Sequence, residues 1–429
     1  MFKNRFVFLL CAACAALGAA YAQNDFAIGA DISWVHEREN NNVRYYHNGQ
    51  RVDPFTILKE HGFNYIRLRL FVDPTATIPN ESESPYSPAP AAYCGLDSTL
   101  KMAKRTKDAG MKFLLDFHYS DTWADPAKQY KPMSWQNLTT INQLAEKVRS
   151  YTKESLERFK DEDLLPDMVQ IGNEAVGGMI WPEGRNYAVN GVGSWRNFAT
   201  LVNAGINGVK DVDQNIKIMV HTINERNPGS WLTNLKNNLN QVESGAANKI
   251  DVIGLSYYSE WHGQPDSLER VVNRIADNHN IKISAVEYAD NHRRVNDIIF
   301  NLPDDKGFGT FVWEPFDWRQ VLFDWVSGTN SGRHSNARLQ LYPQMAIDYG
   351  LNVSSSSSIT SSSSSTTPSS SSDATTSIAA NLKNLNELPQ NAKVEVYNFQ
   401  GKRVSNHQSL AKGVYLVKVD KQIFRMAVH

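Results

Sequence analysis

The feature that most limits how this chain can fold is a repeat of short β-prone runs separated by longer helical ones. Eight strand candidates fall at residues 27–32, 64–71, 112–118, 167–173, 217–221, 251–257, 282–287 and 309–313. Stretches such as "LDSTLKMAKRTKDAG" and "INQLAEKVRSYTKESLERFKD" carry helical periodicity between them. Strands joined through helices run parallel. Eight such units in about 330 residues suit an α/β fold of the (β/α)8 TIM-barrel class with enlarged loops, since about 250 residues is typical. An open doubly wound sheet is the alternative, but no G-x-G-x-x-G follows the first strand.

Alternation within the strands shows what the barrel would hold. In "NYIRLRLFV", Ile66, Leu68 and Leu70 share one face, while Tyr65, Arg67, Arg69 and Phe71 share the other. The aliphatic face belongs against the helices, which turns two arginines inward, where each needs a carboxylate or carbonyl partner. "KFLLDFHYSD" likewise sets Asp116 and His118 opposite Phe113, Leu115 and Phe117. Other strands end at Asn173-Glu174, His221, Tyr257-Tyr258, Glu287 and Trp313-Glu314. Taken singly, such residues are more often core or rim groups than catalysts. Together they crowd the C-terminal strand ends, where barrel enzymes carry their active sites.

The rest of the chain frames this domain. "MFKNRFVFLLCAACAALGAAYA" (1–22) has the basic start, short apolar run and A-x-A end of a secretory signal cleaved after Ala22. Cys11 and Cys14 would leave with it. Cys94 alone then remains, so no internal disulfide can form and stability must come from a large core. The barrel is expected over 23–353 and a Ser/Thr-rich linker over 354–377, opening with "SSSSSITSSSSSTTPSSSS". A small β-rich C-terminal domain follows over 378–429, with turn signals at Gln400-Gly401 and Lys412-Gly413. A formal net charge of −1 without a basic stripe argues against nucleic acid as a partner.

Several chemistries lack their motifs. Metal hydrolysis would want H-x-H or H-E-x-x-H, a serine triad G-x-S-x-G, and phosphate binding a Gly-rich loop at a helix start. None is present. What stands out is a pair of glutamates, Glu174 and Glu287, among Trp123, Trp135, Trp181, Trp261 and Trp313. Two carboxyls flanked by sugar-stacking aromatics fit glycoside hydrolysis.

The blocks "GADISW", "NGQRVDPFTILKEHGFNYIRLRLFVDP", "AGMKFLLDFHYSDTWADPAKQYKPMSW", "PDMVQIGNEAVGGMIWPEG", "DVIGLSYYSEWHG" and "GFGTFVWEP" resemble the successive signatures of glycoside hydrolase family 53, the arabinogalactan endo-β-1,4-galactanases. The resemblance runs from about Phe26 to Gly350. It implies a retaining barrel glycosidase with Glu174 as acid/base and Glu287 as nucleophile. Arg67, Asn173 and Tyr257 or Tyr258 would support them, with Asn173 placed for the sugar 2-hydroxyl. Asp116, His118, Trp123, His221, Trp261, His262 and Trp313 are the expected substrate-binding residues. Retention requires the two carboxyls to lie about 5–5.5 Å apart. Glu314, in the same "WEP" block, is expected to support the fold or the sugar site rather than to attack.

The implied substrate is β-1,4-galactan or arabinogalactan, cut by a monomer without a required cofactor or catalytic metal. Some bacterial relatives bind calcium, and the resemblance assigns no ligands for it here. Alternative readings are a retaining barrel acting on mannan, xylan or glucan, and a non-catalytic galactan-binding protein. Two departures fall at the rim of the expected cleft and bear on subsites and product length. Ser259-Glu260 stand where the family commonly has Pro-Phe, and "VEYADNHRR" follows its own course around the nucleophile. The tail resembles the sorting domains of type IX bacterial secretion. This points to a secreted or surface-attached bacterial protein whose tail meets secretion machinery.

Overall fold

The computed structural model describes residues 25–76, 92–224 and 227–351, together with the backbone of four C-terminal strands. The leader at 1–22, the linker at 354–377 and the turn at Gln400-Gly401 lie outside the described residues.

Eight parallel strands close into a barrel. They are β1 (Ala27–Asp31), β2 (Tyr65–Leu70), β3 (Lys112–Phe117), β4 (Met168–Ile171), β5 (Lys217–Ile223), β6 (Val252–Tyr257), β7 (Lys282–Tyr288) and β8 (Gly307–Trp313). Each pairs with its sequence neighbours, and β1 pairs with β8. Closure leaves no free edge. Two of the crossover helices start at side-chain caps. Ile141–Asp161, after β3, starts with a capping box between Thr140 and Gln143. Trp195–Lys210, after β4, starts at Ser194, whose hydroxyl accepts the Asn197 N–H.

Alternation along the strands builds two separate cores. Ile66 and Leu68 of β2, Phe113, Leu115 and Phe117 of β3, and Val169 and Ile171 of β4 belong to the outer core that includes the helices. Ala27, Tyr65, Leu114, Met168, Met219, Val252, Val286, Phe308 and Phe311 form a separate apolar cluster. The residue two positions on from Tyr65, Leu114, Met168 and Met219 is in each case polar: Arg67, Asp116, Gln170 and His221. The lumen is therefore apolar toward the N-terminal strand ends and polar toward the C-terminal ones.

The lumen is tightly filled at β1. A Cβ on Gly29 would stand 2.2 Å from a ring carbon of Phe311. Gly29→Ala should cost about 1–3 kcal/mol by overpacking. Thermal or urea unfolding would measure it, and pairing the change with Phe311→Leu should recover most of the loss.

β7 breaks the alternation. Leu255 pairs with Ala285, but the next residue, Ser256, pairs with Glu287, so Val286 is the extra residue of a bulge. Val286 lies in the lumen cluster, and the bulge lets its neighbour Glu287 face inward as well.

A second, four-stranded sheet was absent from the sequence expectation. It joins Phe323–Val326, Gly332–Ser335, Tyr45–His47 and Gln50–Arg51 in that order. The chain divides into compact units at 1–356 and 357–429. Within the second, strands Ile378–Leu382, Gln422–Val428, Gly413–Val419 and Val394–Asn398 lie side by side in that order.

Candidate active site

At the end of β4 the backbone turns sharply through Gly172 at φ 79° and Glu174 at φ 42°. The left-handed region is unfavourable for glutamate, and strain of this kind gathers at functional sites. Two neighbours hold the turn: Gln129 Nε2 donates to the Asn173 carbonyl at 2.8 Å, and Asn173 Nδ2 donates to the Ala124 carbonyl at 2.8 Å.

Arg67 is the hub. Its Nη1 donates to Glu287 Oε1 at 2.8 Å and Asp31 Oδ2 at 3.0 Å. Nη2 donates to Asp116 Oδ2 and Asn173 Oδ1, both at 2.8 Å, and Nε to Gln170 Oε1 at 3.2 Å. Burial alone would lower its pKa, but the carboxylates of Asp116, Glu287 and Asp31 raise it further, so the cation is kept. Arg67→Met would leave those carboxylates without their cation. It should cost about 3–5 kcal/mol of stability, the usual range for breaking a buried pair on one side. Urea unfolding decides this, and a loss below about 1 kcal/mol would contradict a charged network.

Glu287 is 6% exposed and gripped at both oxygens, the second by the Tyr258 hydroxyl at 3.0 Å. Glu174 is half-buried, and against the effect of burial the Ser256 hydroxyl acts to lower the pKa of its carboxyl. Burial pushes both carboxyls up. Glu174 is pushed well above the ordinary range because the Glu287 charge, and after it that of Asp125, adds to desolvation. On Glu287, Arg67 pulls directly against the burial effect. Glu174 is thus the proton holder of the pair and Glu287 the anion.

The cleft above them is lined by Asp31, Arg67, Arg69, His118, Trp123, Ala124, Asp125, Asn173, Glu174, Tyr258, Trp261, Glu287, Trp313 and Trp318. Of the sequence-predicted residues, Glu174, Glu287, Arg67, Asn173, Tyr258, His118, Trp123, Trp261 and Trp313 therefore meet in one place. His118 spends both ring nitrogens on the protein: Nδ1 accepts the Ala124 N–H at 3.1 Å, and Nε2 faces Asp116 Oδ2 at 3.1 Å.

Five expectations need correction. Tyr257 packs in the outer core and donates its hydroxyl to the Gly263 carbonyl at 2.8 Å, so Tyr258 alone reaches Glu287. Asp116 is fully buried between Arg67, Gln170 and His118, away from the cleft wall. His221 is also fully buried, behind the turn that carries Glu174. Its Nδ1 lies 3.2 Å from the Glu174 N–H and 2.9 Å from Asn173 Oδ1, and its Nε2 lies 2.9 Å from Ser256 Oγ. Burial holds its pKa well below the usual value, so it is a neutral brace. His262 accepts the Tyr258 N–H at 3.0 Å and supports that loop from outside the cleft. Trp135, suggested above as a stacking residue, is 1% exposed and packs in the outer core.

Asp31, Gln170 and Ser256 were missed. Period-two alternation from Ala27 and Met168 puts Asp31 and Gln170 inward, a signal legible in both strands. Glu314 is fully buried, accepting from Arg69 Nη1 at 2.7 Å and the Trp34 N–H at 3.1 Å. It braces the floor of the site. Among the described residues, no group of three or more His, Cys, Asp or Glu side chains is placed to hold a metal ion.

The sequence profile described as Glycosyl hydrolase family 53 matches residues 27–297. A Niallia circulans protein, described as an uncharacterized protein in the bgaB 5′ region, is 40% identical over 342 residues, covering 71% of this chain and 87% of that one. An arabinogalactan endo-β-1,4-galactanase of Cellvibrio japonicus is 37% identical over 257 residues, with 59% of this chain and 62% of that protein covered. A solved structure from a study of two fungal β-1,4-galactanases superposes with a TM-score of 0.61 at 28% identity, covering 74% of this chain and 98% of that one.

Proposed function

The chain belongs to glycosyl hydrolase family 53, and from that premise we propose that it is an endo-acting, retaining β-1,4-galactanase of the galactan side chains of pectin. The observation that carries this reading is the unequal carboxyl pair in one aromatic cleft. Glu174 is biased toward its protonated form, and Glu287 is held as an anion by Arg67 and Tyr258.

The reaction follows from those states. Glu287 attacks the anomeric carbon while Glu174 passes its proton to the glycosidic oxygen, and the C–O bond breaks. This leaves a glycosyl ester on Glu287 and an ionised Glu174. Glu174 then takes a proton from water, the water oxygen attacks the anomeric carbon from the vacated side, and Glu287 is released. Asn173 Nδ2 keeps a second proton beyond its bond to the Ala124 carbonyl, and in this reading it donates to the sugar 2-hydroxyl.

Substrate choice is tested by incubating the protein with debranched β-1,4-galactan, β-mannan, xylan and a soluble cellulose derivative. Release of short oligosaccharides from galactan alone supports the reading; release from another glycan alone overturns the substrate assignment. The signal-like leader and the sorting-like tail support export to the medium or cell surface. Removing 354–429 should change where the enzyme accumulates, and an unchanged location would count against a sorting tail.

A further inference from the structure

The open side of the cleft is built from two loops that meet across it. After β6, Tyr258 begins a short turn of helix, Ser259–His262, which carries Trp261. Trp261 is 56% exposed, yet its ring packs edge-on against Tyr258 at 5.1 Å, and Tyr258 bonds the nucleophile. After β8, Trp318 stands edge-on to Trp313 at 4.7 Å, and both line the cleft. Arg319 then turns back with φ 44°. Its guanidinium lies 4.8 Å from the Trp318 ring and 5.6 Å from the Trp261 ring, while its Nη1 pairs with Glu260 Oε2 at 2.5 Å. The Ser259 hydroxyl ties the same turn to Asp290 in the loop after β7.

An ion pair whose side chains are 50% and 41% exposed adds little to folding stability. It can nevertheless fix where an exposed tryptophan points. We propose that Glu260 and Arg319 are specificity-determining residues that clasp the β6 loop to the β8 loop. The clasp makes Trp261 and Trp318 one aromatic rail for a galactosyl unit outside the pair at the scissile bond. The inference rests on the hydrolase reading above. Glu260 is one of the two residues by which the β6 block departs from the pattern it otherwise resembles.

The test is kcat/KM along a chain-length series of β-1,4-galacto-oligosaccharides, for the wild type, Arg319→Ala, Glu260→Gln and the swap Glu260→Arg/Arg319→Glu. The single variants should lose about fivefold on long substrates, through KM, and nothing on the shortest cleaved one. Melting temperatures should stay unchanged, and the swap should recover most of the loss. Equal losses on short and long substrates, or no loss on either, would overturn the clasp. If the wild type cleaves another β-1,4-glycan instead, the galactan reading fails separately. The same length dependence is then read on that glycan's oligosaccharides, with the same outcomes deciding.

Discussion

Glu287→Gln is expected to lower kcat on galactan by at least about ten-thousand-fold, because an amide cannot form the glycosyl ester. The fold should survive the change. A glutamine keeps one oxygen to accept from Arg67 Nη1, and its amide nitrogen, standing where the second carboxylate oxygen was, can donate to the Tyr258 hydroxyl once that hydroxyl turns to accept. The variant should also titrate differently. Desolvation and then the Glu287 charge raise the Glu174 pKa, so removing that charge should lower it. Titrating Glu174 in the variant by NMR or infrared spectroscopy checks the direction. An unmoved Glu174 would contradict electrostatic coupling between the two.

Glu174→Ala should separate the two halves of the reaction. On galactan the leaving group is a sugar alkoxide that needs a proton, and losing the acid should cost about a thousandfold. With a dinitrophenyl glycoside of a galacto-oligosaccharide, departure needs no proton, so the ester on Glu287 should form and accumulate. Azide, which needs no general base, should then speed turnover and yield a β-glycosyl azide. In the wild type, kcat/KM should fall as pH rises through the raised Glu174 pKa, where the acid form is lost. That alkaline limb should disappear in the variant on the activated substrate. A limb that persists would assign it to another group.

Alternation alone brought Arg67, Arg69 and Asp116 to the lumen, because Arg67 and Asp116 sit two residues from an apolar lumen residue in a regular strand and Arg69 sits two residues beyond Arg67. The same rule, applied to β1 and β4, reaches Asp31 and Gln170 as well. It fails at β7. With Val286 inward, a regular strand would send Glu287 to the helices, and only the bulge turns it toward Arg67. That bulge is a register shift between two strands, so no single run of sequence reports it. Tyr257 and Tyr258 show a similar limit: two adjacent tyrosines at a strand end must face opposite ways, and which one faces Glu287 depends on where β6 stops. His221 and Asp116 were legible as inward-facing but not as covered. Whether an inward group meets substrate or a neighbour depends on the side chains above it. The small sheet escaped notice because its strands are two to four residues long and come from distant parts of the chain.

In the proposed mechanism Glu287 forms a covalent ester that Glu174 helps to make and break. The most direct test is the anomeric configuration of the first product, followed by proton NMR during the opening moments of galactan cleavage, before mutarotation. Two displacements at one carbon predict a β-anomer signal that appears first and decays into the equilibrium mixture. An α-anomer appearing first would mean a single displacement by water, with Glu287 acting as a base, and would contradict the mechanism drawn from this site.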